Sequence, residues 1–265
     1  MLPMTRVKEL WRYPVKSMQG EPCEELVVGV HGVAGDRSFG VLDLGSGTII
    51  SAKRDGRLLE ATAKMTSDEV WVRLPGGDEL PRGVALDREL TKWLGREVRL
   101  VEATSHGVGT YECPEDFERD DSDTEKWQGT GFSFVDESDL HLLTSEDLNR
   151  LARDRPELQW NARRFRPNIV LDASDGASSS ALTNQCLQIG EAVVQVTKGC
   201  TRCVMTTRAQ PGGLDRELDI LRHVIHNWHN EVGVRASVTR PGRVVLGDTV
   251  VLESATIDAA DTSTM

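Results

Sequence analysis

No apolar run in the chain approaches the length of a membrane span, and the start, Met1-Leu2-Pro3-Met4-Thr5 followed by polar residues from Arg6 to Arg12, lacks the charged-then-apolar pattern of a secretory signal. A basic surplus is missing too. With 31 Lys+Arg against 42 Asp+Glu, the net charge is -11 and the pI near 5.1, which excludes a protein built to displace counterions from a phosphate backbone. Cysteine is sparse and odd in number, with Cys23, Cys113, Cys186, Cys200 and Cys203 scattered rather than patterned, so no disulfide framework is expected. Gly45-x-Gly47 lacks the third glycine and the following helix of a dinucleotide fingerprint, and is read as a turn. These absences point to a cytoplasmic protein with no membrane span and no nucleic-acid partner.

What the chain does contain is many short β-patterns. Arg6 to Arg12 alternates apolar and polar residues like a half-buried strand that Pro14 ends. Glu25 to Val30, Ser38 to Asp43, Thr48 to Ser51, Val70 to Leu74 and Arg99 to Glu102 are strand-like, and Leu86, Leu90, Trp93 and Leu94 mark an amphipathic helix closed by Gly95. The acidic stretch from Ser105 to Gly131 has little apolar content and reads as a solvated, mobile connection. A second set follows: Phe132 to Val135 and Leu140 to Leu143 as strands, a helix capped at Thr144-Ser145, the strand Ile169 to Leu171, a hairpin turning at Gly190-Glu191, a helix over Leu214 to His229, and a closing meander to Leu252. The expected fold is mainly β with helices (α+β): a β-rich unit over 1–103, the connection over 104–131, a helix-decorated β-barrel over 132–254 and a disordered tail over 255–265.

The chemistry concentrates at Val196 to Gly213. Cys200 and Cys203 bracket a cationic Arg202, and a thiolate is the form that binds metals or attacks electrophiles. Cys-x-x-Cys alone fits a dithiol redox pair, half of a zinc site or two inert buried thiols, although the β-branched flanks argue against the helix N-terminus a redox pair wants. His223, His226 and His229 recur every third residue of a helix, which rotates them apart rather than onto one ion. Arg163, Arg164 and Arg166 stand out in an acidic protein, and the helix start at Thr144-Ser145 is suited to an anion.

Five motifs in register, Tyr13-Pro14-Val15-Lys16-Ser17, Gly35-Asp36-Arg37-Ser38-Phe39, Phe165-Arg166-Pro167-Asn168-Ile169, Cys200-Thr201-Arg202-Cys203-Val204-Met205-Thr206-Thr207 and Pro241-Gly242 with Gly247-Asp248, give the chain a resemblance to the MOSC family. Within it, the sequence is similar to the mitochondrial amidoxime-reducing component and its bacterial relatives. The resemblance implies an N-terminal β-rich MOSC-N domain, a C-terminal MOSC β-barrel and a molybdenum–molybdopterin cofactor between them. It implies Cys203 as the catalytic metal ligand, with Lys16, Ser17, Arg37, Thr144, Ser145, Arg166, Asn168, Thr201 and Arg202 contacting the cofactor and Cys200 not binding metal. The implied activity is reduction of small N-hydroxylated substrates. No iron–sulfur cysteine set or flavin motif accompanies it, so the electrons would come from an external donor. A carrier or sensor of the cofactor and a sulfur relay through a Cys203 persulfide are the alternatives. Two departures from the reductase pattern are Arg208-Ala209-Gln210-Pro211 in place of an Asp-Pro turn after Thr206-Thr207, and Arg235 where a tyrosine is expected.

Overall fold

The computed structural model describes residues 5–253 apart from 68, 120–121, 130 and 174–175. The expected tail over 255–265 lies outside the described residues.

Seven strands close a barrel. In order around it come Ile169–Ala173, Leu140–Thr144, Glu231–Arg240, Ala192–Thr201, Cys186–Ile189, Thr249–Leu252 and Thr5–Arg12, which returns to Ile169–Ala173. Only the pairing of Leu140–Thr144 with Ile169–Ala173 is parallel. Its interior is the alternating set that period-2 patterning predicts, including Val7, Leu10, Leu142, Leu171, Val194, Val196 and Val234. A register shift between Val7 and Glu9 lets both Val7 and Leu10 face inward despite their odd spacing. The first strand of the chain therefore belongs to the barrel of the second half, so the two units interleave at the N-terminus. The strand Glu25–Gly29 also crosses over, pairing with Gly242–Val245.

The other unit packs three short strands (Thr62–Thr66, Glu69–Arg73, Glu79–Pro81), the pair Phe39–Asp43 with Val98–Glu102, and the helix Val84–Leu94 around a separate core containing Val41, Leu58, Leu59, Leu86, Leu90 and Leu100. Leu86, Leu90 and Leu94 share one helical face, and Gly95 ends the helix at φ 69°, where a side chain would be strained. Phe39–Asp43 takes Val98–Glu102 as its partner strand, leaving Thr48 to Ser51 with a single bridge, Leu42 to Ile49.

Two expectations need correction. The stretch over 104–131 holds an antiparallel hairpin, Thr110–Pro114 with Thr124–Gln128, not an open connection. Its anchors, few against many acidic residues, suffice: Tyr111 is fully buried and packs with Trp127 and Phe134. Phe132 to Val135 is not a strand but an irregular segment, which frees Phe134 to donate its N–H to Arg37 O and to accept from Lys16 at its own carbonyl.

Candidate functional site

A cavity between the two units is lined by Lys16, Ser17, Arg37, Arg166, Asn168, Thr201, Arg202 and Cys203, all expected from the sequence. Its enclosed part measures about 120 Å³, below the usual range for a whole small-molecule ligand, so a larger group must also use the open side. The wall carries six cationic side chains (Lys16, Arg37, Arg164, Arg166, Arg202, Arg235) and one carboxylate, Asp136, in a chain whose net charge is -11. Basic residues are concentrated here against the balance of the whole molecule.

The thiol sits where the barrel strand Ala192–Thr201 ends and a 3-10 turn, Val204–Thr207, begins. Both cysteines line the cavity, Cys203 half-buried and Cys200 buried at 4% exposure, so the second of the pair is the more accessible residue. The turn is fixed by Thr206, which donates both N–H (3.1 Å) and Oγ1 (3.0 Å) to Cys203 O. Arg164, 1% exposed, ties it from behind, donating to Thr206 O and Arg208 O, both at 3.2 Å, and to Asp215 O at 2.9 Å. Arg202 has a second role besides the electrostatic one its position beside the thiols suggests. It donates to Cys200 O, Val232 O and Phe165 O and meets His141 Nε2 at 2.6 Å, so it braces the barrel wall. Burial first, then the Arg202 charge, hold the His141 imidazole well below its ordinary range, leaving it the neutral partner of that guanidinium.

Two guanidinium groups lie over the Tyr13 ring, Arg37 at 4.4 Å and Arg166 at 4.2 Å from its centroid. Arg37 pairs with Asp36 and donates to Arg166 O at 3.1 Å. Arg166 donates through Nη1 to Met18 O at 2.6 Å, while its Nη2 is buried with no partner in the protein. Burial and the neighbouring Arg37 lower Arg166 to about 10. An orphaned, charged donor on a residue that lines a cationic cavity is costly unless an anion completes it. Ser17, Arg37 and Arg166 also adopt left-handed backbones, with φ of 69°, 46° and 57°. They are three of the seven non-glycine residues with positive φ among those described. Such strain persists where surrounding contacts hold it, and it clusters at functional sites.

The third wall joins the expected Lys16 to Asp136 and Lys53, which the sequence alone did not single out. Asp136 bridges Lys16 (2.6 Å) and Lys53 (3.2 Å), and each ammonium lies over an aromatic ring of the 110–128 hairpin: Lys16 over Tyr111 at 4.1 Å, Lys53 over Trp127 at 3.9 Å. Burial is the largest influence on Lys16 and lowers it to about 8, with Asp136 opposing; the two ammonium groups hold Asp136 well below the ordinary carboxylate range.

Two expected residues lie outside this cavity. Thr144 and Asp147 form a reciprocal capping box at the helix Ser145–Asp154, and Ser145 donates to Asp172 at 2.7 Å. That helix start is thus satisfied by the protein itself. Ser17 and Asn168 line the cavity, but their side chains serve backbone: Ser17 Oγ accepts from Ala52 N at 2.9 Å, and Asn168 Oδ1 from His141 N at 3.2 Å. Among the described residues no group of three His, Cys, Asp or Glu converges as a metal site, which leaves His223, His226 and His229 apart from one another. No helix among them is long and apolar enough to cross a membrane.

The chain is similar to a crystal structure described as a hypothetical protein (13% identity, 97% of this chain and 71% of that one, TM-score 0.46) and to the YuaD protein of Bacillus subtilis (10%, 94% of each chain, TM-score 0.43). It is also similar to YiiM of Geobacillus stearothermophilus (18%, TM-score 0.36), over 46% of this chain and 57% of that one. No curated protein matches it significantly. A profile for the MOSC N-terminal beta barrel domain matches residues 4–127 and one for the MOSC domain matches 129–251, and on these two matches the chain belongs to the MOSC family.

Proposed function

We propose that the protein is a molybdenum-cofactor-dependent oxidoreductase that reduces N-hydroxylated compounds with electrons from an external donor. The family is one that binds molybdenum cofactor. The observation that carries the reading is the half-buried Cys203 sharing one cavity with the orphaned Nη2 of Arg166. A soft metal asks for a thiolate, and an anionic cofactor asks for charged donors lacking other partners. This donor set fits both.

In this reading Cys203 ligates the metal, and Arg166 and Arg37 hold the anionic part of the cofactor. When bound, the cofactor would supply the two-electron redox chemistry. The protein contributes the remaining conditions. Arg164 and Thr206 fix the turn that presents the sulfur, Arg202 and His141 brace the wall beneath it, and burial of Cys200 keeps the second thiol from competing. Arg235, which lines the open side and pairs with Glu137 at 3.1 Å, makes that side more polar than a tyrosine would.

The test is turnover of a panel of N-hydroxylated amines, amidines and nucleobase analogues with a chemical reductant, using protein made in a cofactor-competent host. Reduction of at least one compound by wild-type protein, lost in Cys203→Ala, is expected. Metal-loaded protein that reduces none of them would replace this reading with a cofactor carrier.

A further inference from the structure

Reduction of an N-hydroxylated compound breaks the N–O bond, takes two electrons from the external donor and two protons, and releases the amine and water. In the reading above the cofactor would supply the two-electron chemistry, and the protons need a source that reaches the cavity. Most cations of the wall cannot serve: an arginine does not give up its proton in this pH range. Lys16 is the one lysine on the cavity wall, and it is 5% exposed. It donates to Phe134 O (2.7 Å) and to Asp136 (2.6 Å), and it rests on the Tyr111 ring.

We infer that Asp136 is a positioning residue that clamps Lys16 against the cavity in its protonated form, and that Lys16 supplies the one proton that lets the departing hydroxyl leave as water, the second reaching nitrogen from solvent, an inference resting on the reductase reading. The clamp is symmetric in contact and asymmetric in effect. One carboxylate oxygen takes Lys16 and the other takes Lys53, which lies under Trp127. Lys16 faces Asp136, Lys53 and Arg37, with the Tyr111 hydroxyl held neutral by burial. Lys53 faces Asp136, Cys203 and Cys113. Asp136 raises Lys16, whereas burial, Lys53 and Arg37 lower it, and the balance leaves it near 8, where a lysine can both hold and release a proton. After release it would be reprotonated from solvent across Asp136, a third of whose side chain is exposed.

The chain has only seven lysines, so selective 13C labelling at lysine Cε can follow each titration, with assignment by Lys→Arg variants. Two substitutions should move Lys16 in opposite directions. Asp136→Asn removes the attraction and should lower its midpoint by about one pH unit or more, while Lys53→Gln removes a repulsion and should raise it. Asp136→Glu should restore it. The basic limb of the kcat/KM profile for N-hydroxy reduction should move with each midpoint. Unchanged Lys16 midpoints in both variants would overturn the clamp, and moved midpoints with an unmoved rate profile would overturn the proton role. Shifted midpoints in a protein that holds no molybdenum would uphold the clamp and reject the reductase reading instead, so the two failures are distinguishable. Should Asp136→Asn not fold, Lys53→Gln alone decides the sign.

Discussion

Two flanks of one cavity treat positive charge differently. On the Tyr13 flank, Arg37 and Arg166 both lie over one ring, a single carboxylate, Asp36, pairs with Arg37, and Arg166 keeps an orphaned donor. On the hairpin flank, Asp136 closes on two lysines at once, and each lysine is capped by an aromatic ring. Each flank sets two cations against one carboxylate, so they differ in how the donors are used: Arg166 keeps one nitrogen without a partner, whereas both ammonium groups bond to Asp136. An empty charged donor marks a place for an anion, whereas a carboxylate between ammonium groups governs protonation.

Substitutions on the first flank should have the larger effect on ligand binding. Arg166→Gln is expected to weaken binding of an anion, with inorganic pyrophosphate as the calorimetric probe, by about tenfold or more, the worth of a charge-assisted hydrogen bond. Arg166→Lys should recover part of that loss, and an unchanged affinity in Arg166→Gln would erase the distinction between the flanks. On the second flank Asp136→Asn should cost stability, because it leaves two cations without their counter-charge. Partial exposure of Asp136 screens the penalty to about 2 kcal/mol, below the range for a fully buried pair, as read by denaturant unfolding.

The same carboxylate sets a pH dependence. Its folded-state value is depressed, so the stability it contributes is complete above the ordinary carboxylate range and is lost as pH falls from about 4 toward its lower folded value. Wild-type protein should lose stability over that interval more steeply than Asp136→Asn. The smallest effect is expected at Thr144. Removing the cap with Thr144→Ala should cost about 1 kcal/mol of stability and leave molybdenum content unchanged, because its hydroxyl already serves Asp147.

Much of this was legible in the sequence where local pattern and final role coincide. The alternation of Thr5–Arg12, the Leu86-Leu90-Leu94 stripe and the hairpin at Gly190 each report a face or a turn that tertiary contacts then use. The cavity residues near Tyr13, Gly35, Phe165 and Cys200 were legible through family resemblance, since nothing in their spacing brings Arg37 within reach of Arg166. The rest depended on long-range pairing. Lys53 and Asp136 are separated by more than eighty positions and belong to segments with no motif of their own, and the hairpin that roofs them hides two aromatic anchors in an acidic run. Arg202 does more than adjacency suggested: its charge couples to both thiols, and its guanidinium also holds carbonyls of the barrel wall. Thr144 and Ser145 carry a cap signature whose bland explanation holds.

The most direct test of the central claim, that one sulfur on the Cys203 turn anchors the metal, is molybdenum content per chain measured side by side in wild type, Cys203→Ala and Cys200→Ala from a cofactor-competent host. The account predicts metal in the wild type, nearly none in Cys203→Ala and most of it retained in Cys200→Ala. Equal loss from both variants, or no molybdenum in the wild type, would contradict it.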